Sequence, residues 1–194
     1  TSANVTYNIS ATPTIANAGA DQNICETTGV IAPIQLNGNT PTEGNGVWTV
    51  LEGPSGYSHT FSNSTQGNTT FTPTIQGTYF LQWRITNGNC SGASASSDLV
   101  SIIVSFPPTP SNAGANQTNQ CSGSVNLVGN NPTSGLGTWT QLSGPNAATI
   151  SQPNSPATAV LNTIPGTYVF TWTIRNGSVC SPSASNVEVI VTSS

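Results

Sequence analysis

The chain carries one pattern twice, and an internal repeat constrains a fold more than any single motif. Residues 16–104 and 111–191 are the two copies. Asn17-Ala18-Gly19-Ala20-Asp21-Gln22 returns as Asn112-Ala113-Gly114-Ala115-Asn116-Gln117. Gly46-Val47-Trp48-Thr49 returns as Gly137-Thr138-Trp139-Thr140, and Gly53-Pro54 as Gly144-Pro145. The longest match pairs Gly77-Thr78-Tyr79-Phe80-Leu81-Gln82-Trp83-Arg84-Ile85 with Gly166-Thr167-Tyr168-Val169-Phe170-Thr171-Trp172-Thr173-Ile174. Residues that recur are those the fold needs, and a special function has to be sought among those that do not.

Ala3-Asn4-Val5-Thr6-Tyr7-Asn8-Ile9 aligns with Ser185-Asn186-Val187-Glu188-Val189-Ile190-Val191 near the end of the second copy. The expected organisation is therefore 1–15 as the final strand and linker of a preceding repeat, 16–105 as repeat 1, 106–110 as a Pro-rich linker and 111–194 as repeat 2. The chain reads as a piece of a longer array.

With 194 residues, two units of this size can each bury a modest core. Lysine is absent, Arg84 and Arg175 are the only Lys or Arg residues, and the net charge is -4. Nucleic acid is excluded as a partner, because it is bound through clusters of cations that displace counterions. No apolar run reaches the length of about 18 residues that spans a bilayer, so membrane insertion of this segment is not expected.

The four cysteines can pair in three ways. The repeat favours one bridge inside each copy, Cys25 with Cys90 and Cys121 with Cys180, since a bridge between copies would make the two behave differently. Closing such a loop stabilises a domain by about 4 kcal/mol in the chain-entropy model. Disulfides in small domains point to an oxidising, extracytoplasmic compartment. The spacing lacks paired CxxC elements and His59 is the only histidine, so zinc is not expected.

The hydrophobic period is two. Tyr79, Leu81, Trp83 and Ile85 alternate with polar or exposed-type residues, as do Tyr168, Phe170, Trp172 and Ile174. Val100, Ile102 and Val104, then Val187, Val189 and Val191, give closing strands. Shorter runs at 34–36, 47–51 and 71, with counterparts at 125–127, 138–142 and 160, supply the rest. Gly, Pro, Asn and Ser clusters punctuate them, and no stretch has helical periodicity. The fold class is all-β: two tandem β-sandwich domains, each expected to carry its own disulfide. Trp48, Tyr79, Trp83, Trp139, Tyr168 and Trp172 are the expected core. Trp48 and Trp139 take the place of a buried mid-sandwich tryptophan, and Gly77-Thr78-Tyr79 and Gly166-Thr167-Tyr168 that of a tyrosine corner.

The run Trp139-Thr140-Gln141-Leu142-Ser143-Gly144-Pro145, followed by Thr149-Ile150-Ser151 and by 165–172, resembles PKD-like domains, immunoglobulin-like modules strung in tandem through large extracellular proteins. The Asn-Ala-Gly-Ala-(Asp/Asn)-Gln openings and the pairs Cys90-Ser91 and Cys180-Ser181 resemble giant repetitive adhesins of gliding bacteria exported by the type IX system. The chain lacks the Trp-x-Phe-Gly-Asp-Gly turn of typical PKD domains. The resemblance implies a secreted, cell-surface, non-catalytic role in adhesion and gliding motility.

Catalytic chemistry finds no support in the residues. General acid–base work needs two positioned titratable groups, yet His59 has no counterpart in copy 2, Asp21 becomes Asn116 and Glu52 becomes Ser143. Calcium would need several clustered carboxylates, and Asp21 with Glu26 is the nearest pair. No cofactor, metal or catalytic residue is assigned. Tyr57 and His59, in the segment 53–64 read as a loop, are the candidate surface contacts.

Phe106-Pro107-Pro108-Thr109-Pro110 favours a stiff, extended connection. The leading functional reading is a stalk or filament segment of a surface adhesin. Its partners would be neighbouring repeats of the same chain and, beyond them, surface polysaccharide or abiotic surfaces. A binding module acting through loops, or an accessory domain of a secreted glycan-degrading enzyme, are the alternatives.

Overall fold

A computed structural model describes residues 11–88, 90 and 95–193. The strand expected over 3–9 lies outside these residues. The chain divides into two compact units, Thr1–Val104 and Ser105–Ser194. The Pro-rich segment 106–110 thus falls inside the second unit.

Copy 1 contains β1 (Gln22–Cys25), β2 (Ile34–Gln35), β3 (Asn45–Glu52), β4 (His59–Phe61), β5 (Thr70–Pro73), β6 (Gly77–Thr86) and β7 (Ser96–Ser105). Copy 2 contains β8 (Gln117–Cys121), β9 (Gly123–Val128), β10 (Leu136–Ser143), β11 (Thr149–Ile150), β12 (Ala157–Thr163), β13 (Gly166–Arg175) and β14 (Ser183–Thr192). In each copy a four-stranded sheet, β1-β7-β6-β3 or β8-β14-β13-β10, accompanies a three-stranded one, β2-β5-β4 or β9-β12-β11.

Alternation determines which face is inside, because successive side chains in a strand point to opposite sides. Tyr79, Leu81, Trp83 and Ile85 of β6 are fully buried, as are Tyr168, Phe170, Trp172 and Ile174 of β13. From β7 and β14 come Val100, Ile102, Val104, Val187, Val189 and Val191, and the opposing sheets add Ile34, Phe71, Val125 and Val160. Each such side chain contributes about 1.5–3 kcal/mol through its removal from water.

The tryptophans explain the repeated Gly-x-Trp. Trp48 lies directly across from Trp83, and Trp139 from Trp172, in the cross-strand register. Their ring centroids are 5.2 and 5.0 Å apart. The second ring of each pair lies over a glycine two residues before the first: a Cβ on Gly46 would stand 2.1 Å from Trp83, and on Gly137 2.0 Å from Trp172. The indole N–H groups donate to Gly67 O, Asn39 Oδ1, Pro156 O and Asn130 O, so burial leaves no indole donor unsatisfied.

Alternation fails where it is interrupted by a bulge. Register shifts between Val50 and Glu52, and at the equivalent place between Gln141 and Ser143. The extra residues, Leu51 and Leu142, are exposed.

Three elements differ from the sequence reading: β1 and β4 in copy 1 and β8 in copy 2. β1 and β8 have polar sequences with no alternation. Pairing with the last strand of the copy creates them: β8 runs parallel to β14, with Gln117 opposite Val189 and Cys121 opposite Thr192. The segment 53–64 is not one loop, since residues His59–Phe61 form β4 against β5.

Candidate functional site

The chemistry repeated most completely in both copies is a set of hydrogen bonds that fastens the incoming segment to each sandwich. In copy 2, Thr109 Oγ1 accepts from Thr133 N and Ser134 N, both at 2.9 Å, while Thr109 N donates to Ser134 O. Asn176 Nδ2 donates to Phe106 O at 2.9 Å, and Ser134 Oγ donates to Pro107 O at 3.3 Å. Asn130 spans the next step, accepting from Asn112 N and donating to Pro110 O. Pro108 is buried.

Copy 1 uses the same residue types at the same places. Thr14 Oγ1 accepts from Thr42 N and Glu43 N, Asn87 Nδ2 donates to Ala11 O, and Asn39 accepts from Asn17 N while donating to Ile15 O. The amides Gly19 N and Gly114 N each donate to the Asn two residues before, closing an Asx-type turn that needs the positive φ of these glycines (84° and 83°). Proline supplies no N–H and a fixed φ, so side-chain oxygens and amides take over the fastening. Composition hinted at this role: a surface rich in Asn and Thr has donors and acceptors to spend on backbone. Spacing alone did not indicate which ones are used.

Asp21 belongs to this system. Its Oδ1 accepts from Ser101 N at 2.8 Å, and Asn116 Oδ1 does the same from Glu188 N at 3.0 Å. An amide and a carboxylate are interchangeable here because one acceptor oxygen is all that is used. Asp98 Oδ2 likewise accepts from Ala18 N. Among the described residues, no group of three or more His, Cys, Asp or Glu side chains is placed to hold a metal.

The cysteines require a correction. Cys25 and Cys180 are the disulfide-bonded residues, whereas Cys90 and Cys121 take no part in a disulfide. The bridges Cys25–Cys90 and Cys121–Cys180 are therefore not formed, and the intradomain disulfide drops out of the fold description. Copy 2 shows the reason. Cys121 pairs with Thr192 at the last residue of β14, while Cys180 precedes the first, Ser183. Nine steps of strand separate those ends, about 30 Å at the usual rise, against the 4.4–6.8 Å between Cα atoms that a disulfide tolerates.

The expected contact residues lie in copy 1. Tyr57 and His59 are half-buried, with ring centroids 5.7 Å apart and the planes nearly parallel. His59 sits in β4 and also meets Phe61 and Phe71, while Tyr57 meets Tyr79 edge-on at 5.4 Å. The five rings form one continuous cluster, so these side chains stabilise the sandwich wall as well as presenting edges to solvent. Tyr79 Oη donates to Ile75 O at 2.6 Å, and Tyr168 Oη reaches Ile164 and Asn146, in the tyrosine-corner manner. Burial pushes the Tyr79 phenol above its ordinary value of 10.0, opposed by its bond to Ile75 and reinforced by Tyr57.

Residues 113–191 match the family described as "K319L-like, PKD domain". With the strand order above, that decides the fold of the repeat. Copy 2 is thus a PKD-like sandwich, and copy 1 repeats its strand order. Solved structures similar to the chain include the PKD domain of the KIAA 1837 protein, at 27% identity, TM-score 0.37, covering 43% of this chain and 85% of that one. Titin domains I67–I69 match at 13% identity and TM-score 0.41, covering 95% and 66%. The D00–D0 domain of intimin matches at 17% and 0.38, covering 92% and 98%. Among curated proteins, none matches the chain. Among the described residues, no helix is long and apolar enough to cross a membrane.

Proposed function

We propose that the chain is a non-catalytic structural segment, a stalk or filament portion of an extracellular surface adhesin, in which PKD-like repeats hold a functional region away from its anchorage. The observation that carries this reading is the duplicated fastening of the incoming chain. Thr14, Asn39 and Asn87 in copy 1, and Thr109, Asn130 and Asn176 in copy 2, remove slack from the segment entering each sandwich. A connection tied down by hydrogen bonds and proline transmits force with little stretching, as a spacer requires. Disulfide-bonded cysteines fit an oxidising, extracellular setting.

Small-angle scattering of the chain and of T109A/N176A tests this. A narrow distribution of particle dimensions that broadens in the variant supports the spacer. A wild-type chain as broadly distributed as the variant overturns it.

A second reading, binding of a polysaccharide or protein through copy 1, is favoured by the aromatic cluster at Tyr57 and His59, which copy 2 lacks. Beads coated with the chain, tested on glass and on a polysaccharide panel, separate the two. Retention lost on Tyr57→Ala would assign adhesion to this face, and indifference to every surface leaves the spacer alone.

A further inference from the structure

We propose that Asn87 and Asn176 are sites of spontaneous deamidation, and that the reaction releases the segment each of them fastens. The inference goes beyond the stalk reading and does not depend on it, since it concerns two hydrogen bonds and their chemistry.

Four Asn-Gly pairs occur in the chain, at 37–38, 45–46, 87–88 and 176–177. Asparagine is a heat-labile residue, most so before glycine, whose missing Cβ lets its amide nitrogen approach the preceding side chain closely. Only the last two pairs recur, for Asn37-Gly38 becomes Val128-Gly129 and Asn45-Gly46 becomes Leu136-Gly137. The recurring pair sits after β6 and after β13, where Gly88 and Gly177 are exposed and have φ of 52° and 65°. The turn calls for that left-handed glycine, so the labile dipeptide is built into the repeat. The other two pairs are shielded. Gly38 N donates to Gly67 O at 3.0 Å, which holds its proton, and Gly46 is buried in β3 beneath Trp83.

The reaction balances with water alone. The amide nitrogen of Gly88 or Gly177 bonds to the Asn Cγ and closes a succinimide ring, while Nδ2 leaves as ammonia with the proton from that amide. Water then opens either ring C–N bond, giving aspartate or its β-linked isomer. Nδ2 must leave its carbonyl first, so the fastening bond itself restrains the rate.

That same Nδ2 is the donor to the incoming chain, to Ala11 O at 3.1 Å in copy 1 and to Phe106 O at 2.9 Å in copy 2. Deamidation replaces the donor by a carboxylate oxygen facing a carbonyl oxygen, two acceptors with no proton between them. The copies then differ. Asn87 Nδ2 lies 3.5 Å from Glu43 Oε2, so a carboxylate at that place faces a like charge. Asn176 Nδ2 lies 3.1 Å from Ser134 Oγ, whose hydroxyl can turn from Pro107 O to the new carboxylate. Copy 1 therefore loses its fastening more completely than copy 2.

The test ages the whole chain in mildly alkaline buffer at physiological temperature, with a urea-unfolded sample beside it, and maps deamidated peptides by mass spectrometry. Unfolded, all four asparagines are expected to convert at similar rates. Folded, conversion at Asn87 and Asn176 should exceed that at Asn37 and Asn45 by at least about tenfold. Amide hydrogen exchange reads the consequence at Thr14 N and Thr109 N, which donate to Glu43 O and Ser134 O. Asn87→Asp should speed exchange at Thr14 by about tenfold, and Asn176→Asp at Thr109 by about threefold. Conversion at Asn37 or Asn45 as fast as at Asn87 and Asn176 would overturn the proposal. So would four intact asparagines in the folded chain once the unfolded one has converted, or unchanged exchange in both Asp variants. The wild-type peptide map does not depend on either variant folding.

Discussion

Copies 1 and 2 build the same sandwich with one large ring moved across the core. In copy 1 the three-stranded sheet supplies Phe71 and the facing β6 supplies Leu81; in copy 2 the corresponding pair is Val160 and Phe170. All four are fully buried. The exchange nearly conserves volume, leaving copy 2 one methylene smaller, and close-packed interiors tolerate such swaps when both partners change together. The edge strand follows the same logic. Phe61 pairs with Phe71, and Ile150 with Val160. In copy 2, Tyr168 lies flat on Phe170, with planes 6° apart, whereas in copy 1 Tyr79 meets Phe71 and Tyr57 edge-on. The tryptophan pairs do not move at all. The Trp–Gly–Trp unit is thus the part the two copies share, and the ring beside the tyrosine corner is the part that differs.

The largest effect should come from attacking what the copies share. Gly137→Ala puts a methyl inside contact distance of Trp172, and Gly46→Ala does the same at Trp83. Each should destabilise its own copy by about 3 kcal/mol, the upper range of overpacking, read by urea unfolding followed through tryptophan fluorescence. Equal costs in the two copies would confirm the shared unit, and a cost below about 1 kcal/mol would break it.

The swap itself predicts strong coupling. Phe71→Val alone should cost about 2–3 kcal/mol through the cavity it leaves. Adding Leu81→Phe transplants the arrangement of copy 2 and should restore at least half of that loss. Simple additivity in the double-mutant cycle would show that the ring is not exchanged between these sites.

Tyr79→Phe removes the bond to Ile75 and should cost about 1 kcal/mol. Because the folded pKa of Tyr79 lies above the unfolded value of 10.0, the folded state holds this proton more tightly. The associated stability is fully present below pH 10 and lost as pH rises through the raised folded value. Melting temperature should fall on that alkaline side in wild type, and the fall should be shallower in Tyr79→Phe.

The smallest effect concerns the acid that differs between copies. Asp21→Asn gives copy 1 the residue of copy 2 while keeping the acceptor for Ser101 N, so stability should change by less than about 0.5 kcal/mol. A larger loss would mean that the carboxylate charge, and not the acceptor alone, holds β1 in place.

Much of the fold was legible in the chain because a period-two pattern and a duplication are local properties. Tyr79 to Ile85 and Tyr168 to Ile174 alternate visibly, since one side of each strand must be buried. Gly46 and Gly137 recur because a neighbouring ring occupies the space of a Cβ, and the recurrence was visible before its cause. The polar strands β1, β4 and β8 were not legible. Their strand character comes from a partner strand elsewhere in the chain, and Gln-Asn-Ile-Cys carries no trace of it. The fastening by Thr109, Asn130 and Asn176 was hidden for a similar reason: in a chain full of Asn and Thr, only folded proximity selects the ones that act.

The cysteines mark the boundary most sharply. Duplication established that each copy has an early and a late cysteine. It could not decide their partners, because in a serial array bonds within copies and bonds from each copy to the next are equally repetitive. The tertiary structure ruled out the bond within copy 2 by distance. In copy 2 the early cysteine ends up beside the last residue of the closing strand and the late one before the first, and a covalent bond of fixed length cannot cross a strand about 30 Å long.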